Sequence, residues 1–209
     1  MKKGITAGGI SFISAGEGKP LILIHGWAMA SSVWQLQIDY FSGKGFEVIA
    51  VDLRGHGESL KEGPYTVAQM AYDLKNFIHE TGRKSPFLVG WSRGAMVALA
   101  FAAKHSHSPS AVCLVGATPR FTQGDDFPHG LPLKDVKGMK AKIERNFERS
   151  ISEFRQSIAA GLDDEKREIL MNCPLPAVEA ARAGLSELME TDLRDCLERI
   201  KTPVLLIHG

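Results

Sequence analysis

The sequence predicts an α/β protein built on a doubly wound, mostly parallel sheet, and three observations lead there. Short apolar runs alternate with amphipathic stretches from Ile10 to about Gly124. The runs at 10–13, 21–24, 48–51, 87–89 and 111–115 are nearly continuous in apolar residues, the pattern of strands covered by helices on both faces. Gly90-Trp91-Ser92-Arg93-Gly94 directly follows one run and opens the helical stretch Ala95-Met96-Val97-Ala98-Leu99-Ala100, a strand–turn–helix junction.

Taken in order, Lys2 and Lys3 lead into Gly-Ile-Thr-Ala-Gly-Gly, too short and too broken to be a signal or a membrane span. Val67, Met70, Ala71, Leu74, Phe77 and Ile78 recur at helical spacing behind Thr66, and Gln69 three residues on completes a capping-box pattern. Around Phe121 the texture changes. Gly124, Asp125, Asp126, Pro128, Gly130 and Pro132 form a breaker-rich stretch, and charged helical sequence runs from about Lys134 to Leu170. Strand character returns only at Val204-Leu205-Leu206-Ile207. The expected organisation is a core over 1–120, a helical cap over 121–190 inserted after the sixth strand, and a return to the core over 191–209, with the last strand and helix of such a sheet missing.

The 209 residues carry 25 Lys+Arg against 24 Asp+Glu, so no global field draws the chain to nucleic acid or to a membrane surface. Cys113, Cys173 and Cys196 are widely spaced and form neither a disulfide framework nor a metal-ligand pattern. Neither metal nor cofactor is expected, and the expected compartment is the cytoplasm.

The chemistry centres on Ser92. A nucleophile turn this tight leaves no room for side chains on either side, so glycines flank it, and the hydroxyl stands exposed at the sheet edge above a helix N-terminus. His25-Gly26-Trp27 directly follows the 21–24 run, where a backbone N–H can face the same pocket. The N–H of Arg93 supplies a second donor for a tetrahedral oxyanion. The bland reading of His25 and Trp27, a satisfied polar residue and a core aromatic, stands beside this one.

Through His25-Gly26-Trp27, Asp52-Leu53-Arg54-Gly55-His56-Gly57-Glu58-Ser59 and Gly90-Trp91-Ser92-Arg93-Gly94, the chain resembles the α/β-hydrolases from about Ile10 onward. Phe127-Pro128 and Ala183-Gly184-Leu185-Ser186-Glu187-Leu188, before Thr191-Asp192-Leu193-Arg194, sharpen the resemblance to the pimeloyl-acyl-carrier-protein methyl ester esterases of biotin synthesis. The resemblance implies a serine carboxylesterase with Ser92 as the acylated nucleophile and Trp27 and Arg93 as the oxyanion hole. Phe154, Arg155, Gln156, Ser157 and Ile158 would contact the acyl chain. Arg93 departs from the apolar residue expected there, and its side chain is expected to change polarity at the pocket mouth. The implied partner, an acyl carrier protein, is acidic, and Arg149 on the basic cap is the first choice for docking it. Interspersed acids such as Glu144, Glu148 and Glu153 make a solvated helix face the competing reading.

In this fold the triad acid and histidine follow the serine, which places both after Gly209. On that reading the chain is truncated, weakly active and prone to associate through the 204–207 strand. His208, oriented by Asp52 or a cap acid, is the alternative base. A broad carboxylesterase, a related C–C-bond hydrolase and a non-catalytic ligand-binding fragment are the alternative functions.

Overall fold

The computed structural model describes residues 1–208; Gly209, where the expected 191–209 return closes, lies outside the described residues. Seven strands form one sheet: β1 (Lys2–Ile5), β2 (Ser11–Ala15), β3 (Lys19–Ile24), β4 (Phe46–Val51), β5 (Phe87–Trp91), β6 (Ala111–Val115) and β7 (Val204–Ile207). Their spatial order is β1-β2-β4-β3-β5-β6-β7. Pairing is antiparallel for β1 with β2 and for β2 with β4, and parallel from β4 to β7. The sheet is therefore mixed at one side and parallel where the nucleophile turn lies.

Helices α1 (Gln35–Ser42), α2 (Val67–Glu80) and α3 (Arg93–Lys104) connect the core strands. The central strands read as apolar runs because both faces are covered. Ile22, Ile24, Ile49 and Val51 pack with α2 and α3, while Leu21, Leu23, Val48 and Ala50 pack with Trp34 and Ile38 of the other layer. Neighbouring residues of one strand thus enter different cores, as the two-residue period requires.

Half of the capping box forms. The Thr66 hydroxyl accepts from the Gln69 amide at 3.1 Å, whereas the Gln69 side chain donates to Asp73 instead of turning back to residue 66. β1 falls where no strand was expected: its short, exposed KKGI sequence carries no alternation, and it is held by backbone pairing to β2. β7 is exposed along its whole length.

Between β6 and β7 lie α4 (Leu133–Arg145), α5 (Phe147–Ile158), α6 (Asp164–Met171) and α7 (Val178–Glu190). They bury Val136, Ile143, Ile151, Ala181, Leu185 and Leu188 into the same core as the sheet. Among the described residues no helix is long and apolar enough to cross a membrane, and no His/Cys/Asp/Glu group is placed to hold a metal.

Candidate active site

Ser92 stands between β5 and α3 with φ 52 and ψ −115, in a backbone region that L-residues seldom occupy. Its amide donates to the Val115 carbonyl at 2.9 Å, fixing the turn against β6, and its carbonyl accepts from Ala95 at 2.9 Å. Glycine is obligatory on both sides for a spatial reason. A Cβ on Gly90 would lie 2.4 Å from the Gly94 carbonyl oxygen, and one on Gly94 would lie 2.3 Å from the Ile24 carbonyl oxygen. Strand β5, the turn and the residues after β3 are packed backbone to backbone.

The serine opens into a chamber of about 320 Å³ lined by Gly26, Trp27, Trp91, Gly116, Phe121, Met139, Phe154, Ile158, Leu185 and Leu188. No histidine or carboxylate lines it among the described residues. Trp27, Phe121, Met139 and Phe154 also border a compartment of about 360 Å³ whose far wall includes Lys142, Ser150, Glu153 and Ser157. The Trp27 and Phe154 rings meet edge to face at 4.8 Å between centroids, between these two spaces. On the other side, Trp91 and Ile158 border a third cavity of about 360 Å³, reaching Trp34 and Leu170.

The 154–158 segment therefore divides. Phe154 and Ile158, one helical turn apart, face the Ser92 chamber, and Ser157 reaches only the neighbouring compartment. Gln156 is exposed. Arg155 points the other way. Buried to 3% exposure, its guanidinium donates to the carbonyls of Ala28, Cys173 and Pro174, tying α5 to the core. This corrects the expectation that the whole segment meets an acyl chain: on a helix only positions three or four apart share a face.

The expectation for the Arg93 side chain also fails. It does not reach the pocket mouth but lies at 1% exposure beneath the turn, donating to the Tyr65 carbonyl and, at 3.0 Å, to Glu187 of α7. Burial lowers its pKa, and the charge and hydrogen bond of Glu187 oppose that shift. The Arg93 N–H, at the first position of α3, belongs to the four amides that an α-helix leaves without an intrahelical acceptor. Trp27 is buried with its indole N–H bonded to the Ala181 carbonyl at 3.0 Å.

His25 and His56 are structural. His25 Nε2 accepts from the Leu53 amide at 2.9 Å, which leaves Nδ1 as the protonated nitrogen, donating to the Gly26 carbonyl at 2.8 Å. Full burial lowers the pKa of both rings, that of His56 well below the ordinary value. Asp52 is likewise committed, its carboxylate accepting from the amides of Ser31 and Glu58. It follows β4, four strands from β7 or roughly 19 Å at ~4.8 Å per strand, so it does not orient His208. Arg149 is exposed on α5 and donates to Glu153 at 2.8 Å. Glu187 entered the sequence reading only as part of the 183–188 motif; its contacts with Arg93 and Val67 were not anticipated, their one local signal being an acid on an otherwise apolar helical stripe.

Comparison with known proteins places the fold in a family. Residues 19–209 match the family described as alpha/beta hydrolase fold. The chain is 31% identical over 205 residues to the pimeloyl-[acyl-carrier protein] methyl ester esterase of Nitrosospira multiformis, covering 94% of this chain and 78% of that protein. It is 30% identical over 201 residues to the AB hydrolase superfamily protein YisY of Bacillus subtilis, covering 93% and 74%. The structure is similar to an esterase from Exiguobacterium antarcticum, with a TM-score of 0.87 and 25% identity over 96% of this chain and 76% of that one. The chain belongs to the α/β-hydrolase family.

Proposed function

We propose that this protein is a serine carboxylic ester hydrolase acting on the methyl ester of a pimeloyl chain borne by an acyl carrier protein. The observation that carries the reaction class is Ser92, held at positive φ on a glycine-bounded turn and opening into an apolar chamber. Ser92 Oγ attacks the ester carbonyl while a base takes its proton, and the N–H groups of Trp27 and Arg93 receive the oxyanion. Collapse of the tetrahedral adduct expels methanol, and water then releases the acid from Ser92. We assign neither the base nor its orienting acid to a residue within 1–208.

The substrate rests on narrower support: the similarity to the Nitrosospira esterase, and chamber walls that suit an alkylene chain passing Trp27, Met139 and Phe154 toward the Lys142 side. Carrier docking falls to the cap, with Arg149 exposed on it. A broad carboxylesterase is the second reading, favoured by the Arg149–Glu153 pair, which already satisfies the cation chosen for an acidic partner. The three free cysteines fit a reducing compartment, and we place the protein in the cytoplasm.

Labelling with a fluorophosphonate probe, together with turnover of free and carrier-bound methyl esters, tests both levels. Ser92→Ala abolishes labelling and turnover; persistence of either ends the nucleophile assignment. Arg149→Glu raises KM several-fold for the carrier-bound ester alone, and an equal effect on the free ester favours the broad reading.

A further inference from the structure

The cap and the nucleophile turn meet at one stripe of α7. Ala181, Gly184 and Glu187 are spaced by three and occupy one side of that helix. The Ala181 carbonyl accepts from Trp27 Nε1 at 3.0 Å, and Glu187 Oε2 accepts from Arg93 Nη2 at 3.0 Å. Between them Gly184 permits the approach, since a Cβ there would stand 3.0 Å from Trp27 Cδ1 and 3.2 Å from Arg93 Nη1. One helix of the cap thus grips the side chains of both residues whose backbone N–H groups face the oxyanion in the proposed reaction.

The grip is specific. Both Glu187 oxygens are used, one by Arg93 and the other by the amide of Val67 at the start of α2. Glu187 is the one charged partner of this group: the Arg93 side chain is fully buried, its Nη2 otherwise donates only to the Tyr65 carbonyl, and its Nε and Nη1 have no hydrogen-bond partner among the described residues. A buried guanidinium that loses its carboxylate is left with an uncompensated charge and must move. Its backbone is the first residue of α3, so movement is passed directly to the N–H beside Ser92. The α7 helix is in turn seated on the core, with the Ala177 amide donating to the Gly55 carbonyl at 2.8 Å.

We propose that α7 positions the oxyanion hole, with Glu187 as the positioning residue acting through Arg93 and Ala181 acting through Trp27. This rests on the ester-hydrolase reading of Ser92. The consequence is that cap and catalysis are linked at a point where no substrate is touched: loosening α7 lowers kcat while leaving ground-state binding in the chamber nearly intact.

Glu187→Gln is the test, because the amide is isosteric yet must turn its NH2 toward either Arg93 or the Val67 N–H, both of which are donors. Kinetics are measured on a simple ester in the intact protein, well below the midpoint of thermal unfolding. Rates are normalised to Ser92 sites titrated with a fluorophosphonate. The expected result is a fall in kcat of about 10-fold with KM within about two-fold, and a similar fall in affinity for an alkyl boronic acid, whose tetrahedral adduct places an oxygen in the same hole. Gly184→Ala, which pushes α7 outward by only a few tenths of an ångström, gives a smaller loss in the same direction and decides the matter if Glu187→Gln does not fold. A variant with lowered thermal stability but unchanged kcat per titrated site and unchanged boronate affinity overturns the proposal. Absence of labelling and turnover in a wild-type protein that also carries the base for Ser92 overturns the ester-hydrolase reading and this proposal with it.

Discussion

Gly94 and Gly138 are both helical glycines, one in α3 at the nucleophile turn and one in α4 of the cap, and their surroundings are opposite. A Cβ on Gly94 would collide with the Ile24 carbonyl at 2.3 Å and the His25 carbonyl at 2.5 Å, whereas one on Gly138 would meet nothing within 4 Å. At the turn, backbone packs on backbone and the residue choice has no slack. Helix α4 has slack at that point, and the cap as a whole is seated by buried residues such as Val136, Ile143, Ile151 and Leu185 and by a few long-range polar bonds from α5 and α7: Arg155 to three carbonyls, Trp27 to Ala181, and Glu187 to Arg93 and Val67. The turn is therefore tightly packed at its glycines, and the cap is joined to the core at points.

The sharpest break of that contrast is Gly94→Ala, expected to cost about 3 kcal/mol or more through backbone displacement. In a domain of this size that lowers the unfolding midpoint by roughly 6–12 °C in a thermal melt. Arg155→Ala, which strands the buried carbonyls of Ala28 and Cys173 and leaves a gap between α5 and the core, is expected to cost about 2–3 kcal/mol by urea denaturation. If it costs nothing, the cap is not pinned there.

Acid gives a graded test of the core. His25 and His56 are held neutral by burial, with folded pKa values below the unfolded value of about 6.5. Below that pH the unfolded chain binds more protons than the folded one, so their contribution is fully present above about pH 6.5 and is lost as pH falls. The expected slope is at most about 1.4 kcal/mol per pH unit for each ring, read from unfolding midpoints between pH 7 and 5. His56→Asn should flatten it. Gly138→Ala is the smallest effect and has the opposite sign, a gain of about 0.5–1 kcal/mol from improved helix propensity at an exposed site.

How much could be read beforehand follows the same division. β6 runs over the residues anticipated, and β5 extends two residues past its apolar run because Gly90 and Trp91 still pair with Leu114 and Val115. The turn at Ser92 was legible because glycine spacing between a strand and a helix encodes a local backbone requirement. β1 was not, since its partner β2 supplies the order that its own sequence lacks. The direction of the Arg93 side chain was not legible either. It depends on Glu187, 94 positions away, and no local pattern reports a pairing at that distance. Arg155 was misplaced because a contiguous segment was treated as one surface.

Helix α5 contributes Phe154 to the boundary between two of the cavities and Ile158 to the boundary between the middle one and the third. Both residues lie one turn apart on a single amphipathic helix outside the sheet, so two codons reach the boundaries of three adjoining spaces, alongside Trp27, Phe121, Met139 and Trp91. Such an arrangement makes selectivity an inheritable variable separate from foldability. Exchanges among Phe, Leu, Met and Ala at 154 and 158 can enlarge, merge or close rooms around the serine while every strand register and the glycine-bounded turn stay as they are, and a small library at these two positions would sample many acyl shapes on one unchanged scaffold.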